Sequence, residues 1–305
     1  MNTNYKTKTT QKRRLQLLSA VCLSIFLFVT ASFAQESPKL PENGKIAFAS
    51  NVKGHYDIFT INTDGSGEVN ITNSPDHDEI SPSWSPDGKR LAYLFKLDQS
   101  AYVLAIMDED GSNKTCLIEV SLPKSDGDTL SWSPEGKKIA FSSDGEIFSI
   151  EVDGGNLVNL TNDPAYDRQP SWSPDGEQIA FGRRKGSDHR IYTMNTDGSK
   201  LESTLLGLSG ASAAKWSPDG NRFLYFDEFL GGCNCLISAK TDGTNNIILA
   251  ANAQSADWSP DGKKVVFAGL DGSSSRLYVM PATGDGRQDQ IGRRNARQPD
   301  WQPLP

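Results

Sequence analysis

Only three imidazoles occur in the chain, His55, His77 and His189. Histidine is the commonest metal ligand and the side chain best suited to proton transfer near neutral pH. A catalytic metal needs about three such ligands converging on one point. Acidic residues are far more numerous, with 38 Asp and Glu against 31 Lys and Arg. A pair of them is the minimum for glycoside cleavage, although the sequence marks out no particular pair. A hydrolase serine on a Gly-x-Ser-x-Gly elbow does not occur in the chain, so the α/β-hydrolase arrangement is excluded. Cys233-Asn-Cys235 is the one close cysteine pair. It reads as two partly buried thiols, with a short bridge as the alternative. Basic clusters lie at Gly182-Arg183-Arg184-Lys185 and at Arg293-Arg294 with Arg297.

These residues hang on a repeat. Trp84-Ser-Pro-Asp-Gly88 returns as Trp132-Ser-Pro-Glu-Gly136, Trp172-Ser-Pro-Asp-Gly176, Trp216-Ser-Pro-Asp-Gly220 and Trp258-Ser-Pro-Asp-Gly262, and begins again at Trp301. All 6 tryptophans belong to this phrase, at intervals of 48, 40, 44, 42 and 43 residues. A period in that range, built from short strands, is the mark of β-propeller blades. Pro sets φ, Asp stabilises the turn and Gly leaves it at positive φ. An apolar strand follows each turn, then an alternating strand that ends in a second Asp-Gly or Gly turn, then an outer strand. In sequence order these are strands A (carrying Trp), B, C and D. The segment Pro41-Glu-Asn-Gly44-Lys-Ile-Ala-Phe48 looks like the phrase without its Trp, and Asp300-Trp-Gln-Pro303 like its first half. The fold expected is therefore all-β. It is a six-bladed propeller of four-stranded antiparallel blades, closed by strand A from the C-terminus and strands B–D from the N-terminus. The tryptophans Trp84, Trp132, Trp172, Trp216, Trp258 and Trp301 are read as wedges between neighbouring blades.

The chain opens differently. Lys12-Arg13-Arg14 precede an apolar run from Leu15 to Val29, then Ala31-Ser-Phe-Ala34. This is the pattern of a secretory signal peptide cleaved after Ala34, with an uncleaved anchor as the alternative. Residues 1–34 are read as signal peptide, 35–43 as a short lead and 44–305 as a single propeller domain. Cleavage removes five basic residues and no acidic one, taking the net charge from −7 to −12. An acidic body argues against nucleic acid and anionic membrane as partners. No membrane span is expected in the mature chain, which is placed in the periplasm or outside the cell.

Residues 171–199, from Ser171-Trp-Ser-Pro-Asp-Gly to Tyr192-Thr-Met-Asn-Thr-Asp-Gly-Ser199, and residues 57–73 carry a more specific pattern. It resembles the WD-like repeat of the TolB family of bacterial periplasmic translocation proteins, and the resemblance runs over residues 44–303. It implies a binding scaffold, with a peptidoglycan-associated lipoprotein and other envelope proteins or peptides as partners. Similar blades also precede peptidase domains of the prolyl oligopeptidase type. TolB carries an α/β domain before its propeller, whereas about ten residues separate the expected cleavage site from the first strand here. A stand-alone propeller is expected.

Alternating strand directions sort the loops. A–B and C–D turns share one face, and the longer, unequal B–C and D–A loops share the other. Recognition is expected on that second face and at the channel mouth, through Glu79, Asp128, Asp167, Arg168, Arg297 and His77. All three histidines fall on this face. His55 and His77 belong to the first blade and His189 to the fourth, too far apart for one metal, so no metal site is expected. The turn carboxylates are read as serving their turns rather than binding calcium. No catalytic residue and no cofactor is expected, with a channel-bound cation left open. The alternative reading is a propeller enzyme of hydrolase or lyase type, or a carbohydrate-binding protein, with a carboxylate pocket.

Overall fold

The computed structural model describes residues 43–303, apart from 53, 99–100, 122–129, 205, 207–209 and 229. Among the described residues twenty-four strands form six four-stranded antiparallel sheets. The first strands are β1 (Ile46–Val52), β2 (His55–Ile61) and β3 (Val69–Asn70). Blade two contains β4 (Glu79–Trp84), β5 (Arg90–Lys96), β6 (Ala101–Asp108) and β7 (Thr115–Ser121). Blade three contains β8 (Ser131–Trp132), β9 (Lys138–Ser143), β10 (Glu146–Glu151) and β11 (Val158–Asn159). Blade four contains β12 (Tyr166–Trp172), β13 (Gln178–Lys185), β14 (Asp188–Asn195) and β15 (Glu202–Ser203). Blade five contains β16 (Ala211–Trp216), β17 (Arg222–Asp227), β18 (Cys235–Lys240) and β19 (Ile247–Ala250). Blade six contains β20 (Ala253–Trp258), β21 (Lys264–Asp271), β22 (Ser274–Pro281) and β23 (Asp289–Ile291), and β24 (Ala296–Trp301) follows.

The last strand completes the first blade, in the order β24-β1-β2-β3. Ile46 pairs with Trp301 and Ser50 with Ala296. The closure expected from the split phrase is the one observed, and it leaves no unfinished sheet between the two ends.

Four of the five turns of the phrase are built the same way, while in the fifth Ser133 Oγ accepts the N–H of Lys138 at 3.0 Å. Ser85 Oγ donates to Asp87 Oδ1 at 2.6 Å and accepts the N–H of Arg90 at 2.9 Å, with Gly88 at φ 67°. Ser173–Asp175, Ser217–Asp219 and Ser259–Asp261 repeat the bond at 2.5, 2.5 and 2.6 Å. These hydroxyls hold Asp87, Asp175 and Asp219 below the ordinary carboxylate range, because a hydrogen bond to the ionised form favours it. The carboxylates thus face their own turns.

Strand B is buried along its length: Leu91 to Phe95 in β5 and Ile179 to Phe181 in β13 are buried without alternation. Both faces of a blade pack on neighbouring blades, so both must be apolar. The tryptophans fill these seams. Five are buried and Trp216 is half-buried. Trp132 Nε1 donates to Ser83 O of the preceding blade at 3.0 Å, and Trp258 Nε1 to Lys215 O at 3.3 Å.

Innermost strands carry a further feature that the repeat does not advertise. In blades one, two, four, five and six the pairing of strand A with strand B slips by one residue. Ser81, Gln169, Ala213 and Gln298 take φ of 54°, 58°, 54° and 53° at four of these bulges. A bulge sets two residues against one and re-aims the side chains around it.

Candidate functional site

The bulges decide what lines the channel. Ser81, Gln169, Ser255 and Gln298 border its cavity, with Lys215 and Asp300. Gln298 is tied in place: its Oε1 accepts the N–H of Ser81 at 3.0 Å and its Nε2 donates to Ser81 Oγ at 3.0 Å.

The residue directly before each Trp then links blade to blade. Asp300 Oδ2 accepts the N–H of Trp84 at 2.7 Å, and Asp257 Oδ2 that of Trp301 at 2.7 Å. Ser131 Oγ accepts from Trp172 N at 3.0 Å and Ser171 Oγ from Trp216 N at 3.4 Å. Serine fills this position in blades two, three and four, whereas Lys215, Asp257 and Asp300 fill it in five, six and one. The Lys215 ammonium donates to Asp257 Oδ1 at 3.0 Å and Asp300 Oδ1 at 3.1 Å. Burial alone would push the lysine down, but the two carboxylates hold it above its ordinary range. Burial pushes Asp300 up to about 6, against the pull of Lys215 and with the repulsion of Asp257. Both oxygens of each carboxylate are engaged. The arrangement joins three blades through one ammonium.

The residues expected at the rim divide. Glu79 is 4% exposed and Asp167 0%, so neither stands at a solvated edge. Burial pushes Glu79 up to about 8, with Lys114 opposing and Asp57 reinforcing the shift. Asp167 receives both prongs of Arg183, Nε to Oδ1 at 2.7 Å and Nη2 to Oδ2 at 2.7 Å, while Asp163 takes Nη1 at 3.0 Å. Burial raises Asp167 in spite of that pairing. Arg183 also lies over the Phe181 and Tyr192 rings, and Arg184 over Tyr166. Within this basic cluster Arg183 is therefore packed into the blade, whereas Arg184 and Lys185 stay exposed. In the same way Arg293 sits over Phe59, 4.1 Å from its centroid, and pairs with Glu68. Asp128 lies outside the described residues, as do the signal peptide and its cleavage site.

Arg168, Arg297 and His77 are half-buried and reach the loop face. Arg168 Nη2 lies 3.6 Å from Glu228 Oε1. Arg297 stacks on Tyr56 at 3.6 Å, and Tyr56 N donates to Asp78 Oδ1 at 2.8 Å. His77 Nδ1 lies 3.1 Å from Lys96 O. His55 and His77 border one open groove with Asp76, Asp78, Lys96 and Asp98, whereas His189 stands near Glu228. Among the described residues no group of three or more His, Cys, Asp or Glu is placed to hold a metal, and no helix is long and apolar enough to cross a membrane.

One expectation is corrected. Cys233 and Cys235 are bonded through their sulfurs, with Cα atoms 5.4 Å apart, instead of standing as two thiols. A short 3-10 turn at Leu230–Gly232, with Gly232 at φ 73°, folds the loop so that the two side chains meet.

The fold and its channel define a class: a closed six-bladed propeller whose Trp-Ser-Pro-Asp-Gly turns lock the blades. The family model described as "TolB beta propeller domain" matches residues 129–305. The chain belongs to this TolB beta-propeller family. Among curated proteins it is 43% identical over 49 residues to the Tol-Pal system protein TolB of Blochmanniella floridana, covering 16% of this chain and 10% of that one. It is 34% identical over 74 residues to Dipeptidyl-peptidase 5 of Porphyromonas gingivalis, covering 22% and 11%. The match spans about a tenth of the length of each of these curated relatives. Among solved structures, TolB from Acinetobacter baumannii superposes with a TM-score of 0.75 at 22% identity, covering 87% of this chain and 68% of that one. Oligogalacturonate lyase from Vibrio parahaemolyticus gives 0.54 at 16% identity, covering 81% and 74%. At these identities the structures share the fold.

Proposed function

We propose that the protein is an exported, non-catalytic scaffold of TolB type that recognises a protein or peptide at the channel mouth and the B–C/D–A loop face. It works in the periplasm or outside the cell. The observation that carries this is the fixed charged rim: Arg168 opposite Glu228 on one side, and Arg297 on Tyr56 beside Asp78 and Lys96 on the other. Loops held by a closed ring lose little freedom on binding, so less of the contact energy is spent on ordering them. Arg168, Arg297, His77 and Asp128 touch the partner. Glu79 and Asp167 act from beneath, fixing the innermost strands that carry those side chains. The partner is an envelope protein of the peptidoglycan-associated lipoprotein kind, as the name of the Tol-Pal relative suggests.

The test is titration calorimetry with the soluble domain of the peptidoglycan-associated lipoprotein from the same organism. Arg168→Glu and His77→Ala are each expected to weaken binding at least about tenfold, the scale of a lost charged contact. Absence of binding by the unaltered protein removes this partner. Equal binding by both variants removes this face.

The raised Glu79 carboxyl favours a second reading, a propeller enzyme of hydrolase or lyase type or a carbohydrate-binding protein, because perturbed carboxyls mark acid catalysts. Its burial between blades weighs against that reading. An oligosaccharide panel assayed with the unaltered protein and Glu79→Gln decides it: turnover lost in the variant would establish the enzyme.

A further inference from the structure

The bond between Cys233 and Cys235 spans a sequence separation of 2. A disulfide stabilises mainly by closing a loop in the unfolded chain, and the gain shrinks with the loop. So short a loop makes this bridge a weak staple.

The loop it lies in has other anchors. Asp227 Oδ1 accepts the N–H of Leu230 at 2.9 Å. Asn234 Nδ2 donates to Ala253 O at 2.6 Å, and Ala253 N donates back to Asn234 O at 3.1 Å. These bonds hold the loop from β17 to β18 whether or not the sulfurs are joined. The Leu230 carbonyl oxygen lies 3.2 Å from Cys233 Sγ and 3.5 Å from Cys235 Sγ. An acceptor therefore already waits for both S–H groups once the bond is opened. The sulfurs also differ in access: Cys235 is buried, Cys233 half-buried on the loop face.

We infer that Cys233 and Cys235 form a reversible redox site, exchanging with a dithiol donor while the propeller stays folded. A thiolate of the donor attacks Cys233 Sγ. The Cys233–Cys235 bond breaks, its electron pair goes to Cys235 Sγ, and that sulfur takes a proton. The donor's second thiolate then attacks the donor sulfur of the mixed disulfide, which frees Cys233 as a thiolate that is protonated in turn. Two electrons and two protons pass from donor to protein, and the donor leaves as a disulfide. Thiolate attack at the accessible sulfur with the buried one leaving is the ordinary course of such exchange.

The test uses the protein expressed from its 305-residue sequence and isolated in air. It is treated with dihydrolipoate, alkylated and mapped by mass spectrometry at residues 233–235. The peptide is expected to carry no label before treatment and two after it, with the melting temperature moved by less than about 2 °C, the scale of a fraction of a kcal/mol in a chain this size. Oxidised lipoate is expected to restore the unlabelled form. Cys235→Ser, which leaves Cys233 alone, is expected to form an adduct with glutathione disulfide, and Cys233→Ser to form far less. Two labels before treatment, labelling only in denaturant, or a large fall in melting temperature on reduction would each overturn the proposal. Equal adducts on the two variants would overturn the order of attack.

Discussion

Lys215 Nζ donates to Asp300 Oδ1 at 3.1 Å across the channel, and so fastens blade five to the strand that the C-terminus lends to blade one. Asp257 shares the same ammonium at 3.0 Å. Removing the lysine leaves two carboxylates buried side by side with no cation. Lys215→Ala is expected to cost about 2–3 kcal/mol, below the ~3–5 kcal/mol of a fully buried pair because Lys215 and Asp257 keep some exposure. Urea unfolding measures it, and a loss under about 1 kcal/mol would show that the carboxylates reach water. Lys215→Met combined with Asp257→Asn and Asp300→Asn is expected to recover most of the loss, because no buried charge then remains.

Glu79 gives the protein an unusual pH dependence. Its native value of about 8 stands above the ordinary 4.5, so between those pH values the folded state holds a proton that the unfolded state has lost. Stability then falls as pH rises through that window and levels off above it. Asp300 acts with the same sign between 3.8 and about 6. The turn carboxylates Asp87, Asp175 and Asp219 act oppositely, and their contribution disappears as pH drops below 3.8 toward their lowered native values. The melting temperature is expected to peak between about pH 4 and pH 5. In Glu79→Gln the decline from pH 5 to pH 8 should flatten. An unchanged slope would mean that Glu79 is ionised in the native state.

Ring closure has its own probe in Gly44. A Cβ built there lies 2.5 Å from Gln302 O and 2.7 Å from Gln302 Cβ. Gln302 is held by Lys45 and Gly88, its Nε2 donating to Gly88 O at 2.7 Å, so it has little room to yield. Gly44→Ala is expected to cost about 1–3 kcal/mol by overpacking and to speed proteolytic release of β24. Gly182→Ala is the control, since its nearest neighbour is 3.5 Å away.

The tryptophans separate by their indole N–H. Trp132 donates to Ser83 O, whereas the indole nitrogens of Trp84, Trp172, Trp216 and Trp301 have no hydrogen-bond partner among the described residues. Trp132→Phe should therefore cost about 1 kcal/mol more than Trp172→Phe. Thermal unfolding of the pair checks it.

Much of the fold was legible because the repeat ties every Trp to a turn and every turn to a strand. The split phrase at the two ends also specified how the ring closes. The channel was harder. Glu79 and Asp167 are expected at the channel mouth because they precede their Trp on the loop-face side, yet both are buried, next to bulges at Ser81 and Gln169 that set an extra residue into the strand. Strand periodicity cannot reveal a bulge that leaves no Gly or Pro signature of its own. The Lys215 arrangement did leave a trace, since Lys, Asp and Asp replace Ser before three of the tryptophans. A single-residue change in each blade is silent against the common phrase and gains meaning only because the three positions meet at one ammonium. The cysteine bridge depended on a local turn that spacing alone does not determine.

The antiparallel pairing of Ile46 with Trp301 also sets how the molecule can be held. The chain enters the ring and leaves it at the same end of blade one, on the side of the short turns. A tether attached before residue 43 or after residue 303 would therefore grip the disc from its back, with the face bearing Arg168, Glu228 and the Cys233–Cys235 loop turned away from the anchor. A fusion or surface attachment at either terminus should leave that face unobstructed, whereas one placed in a B–C loop should block it.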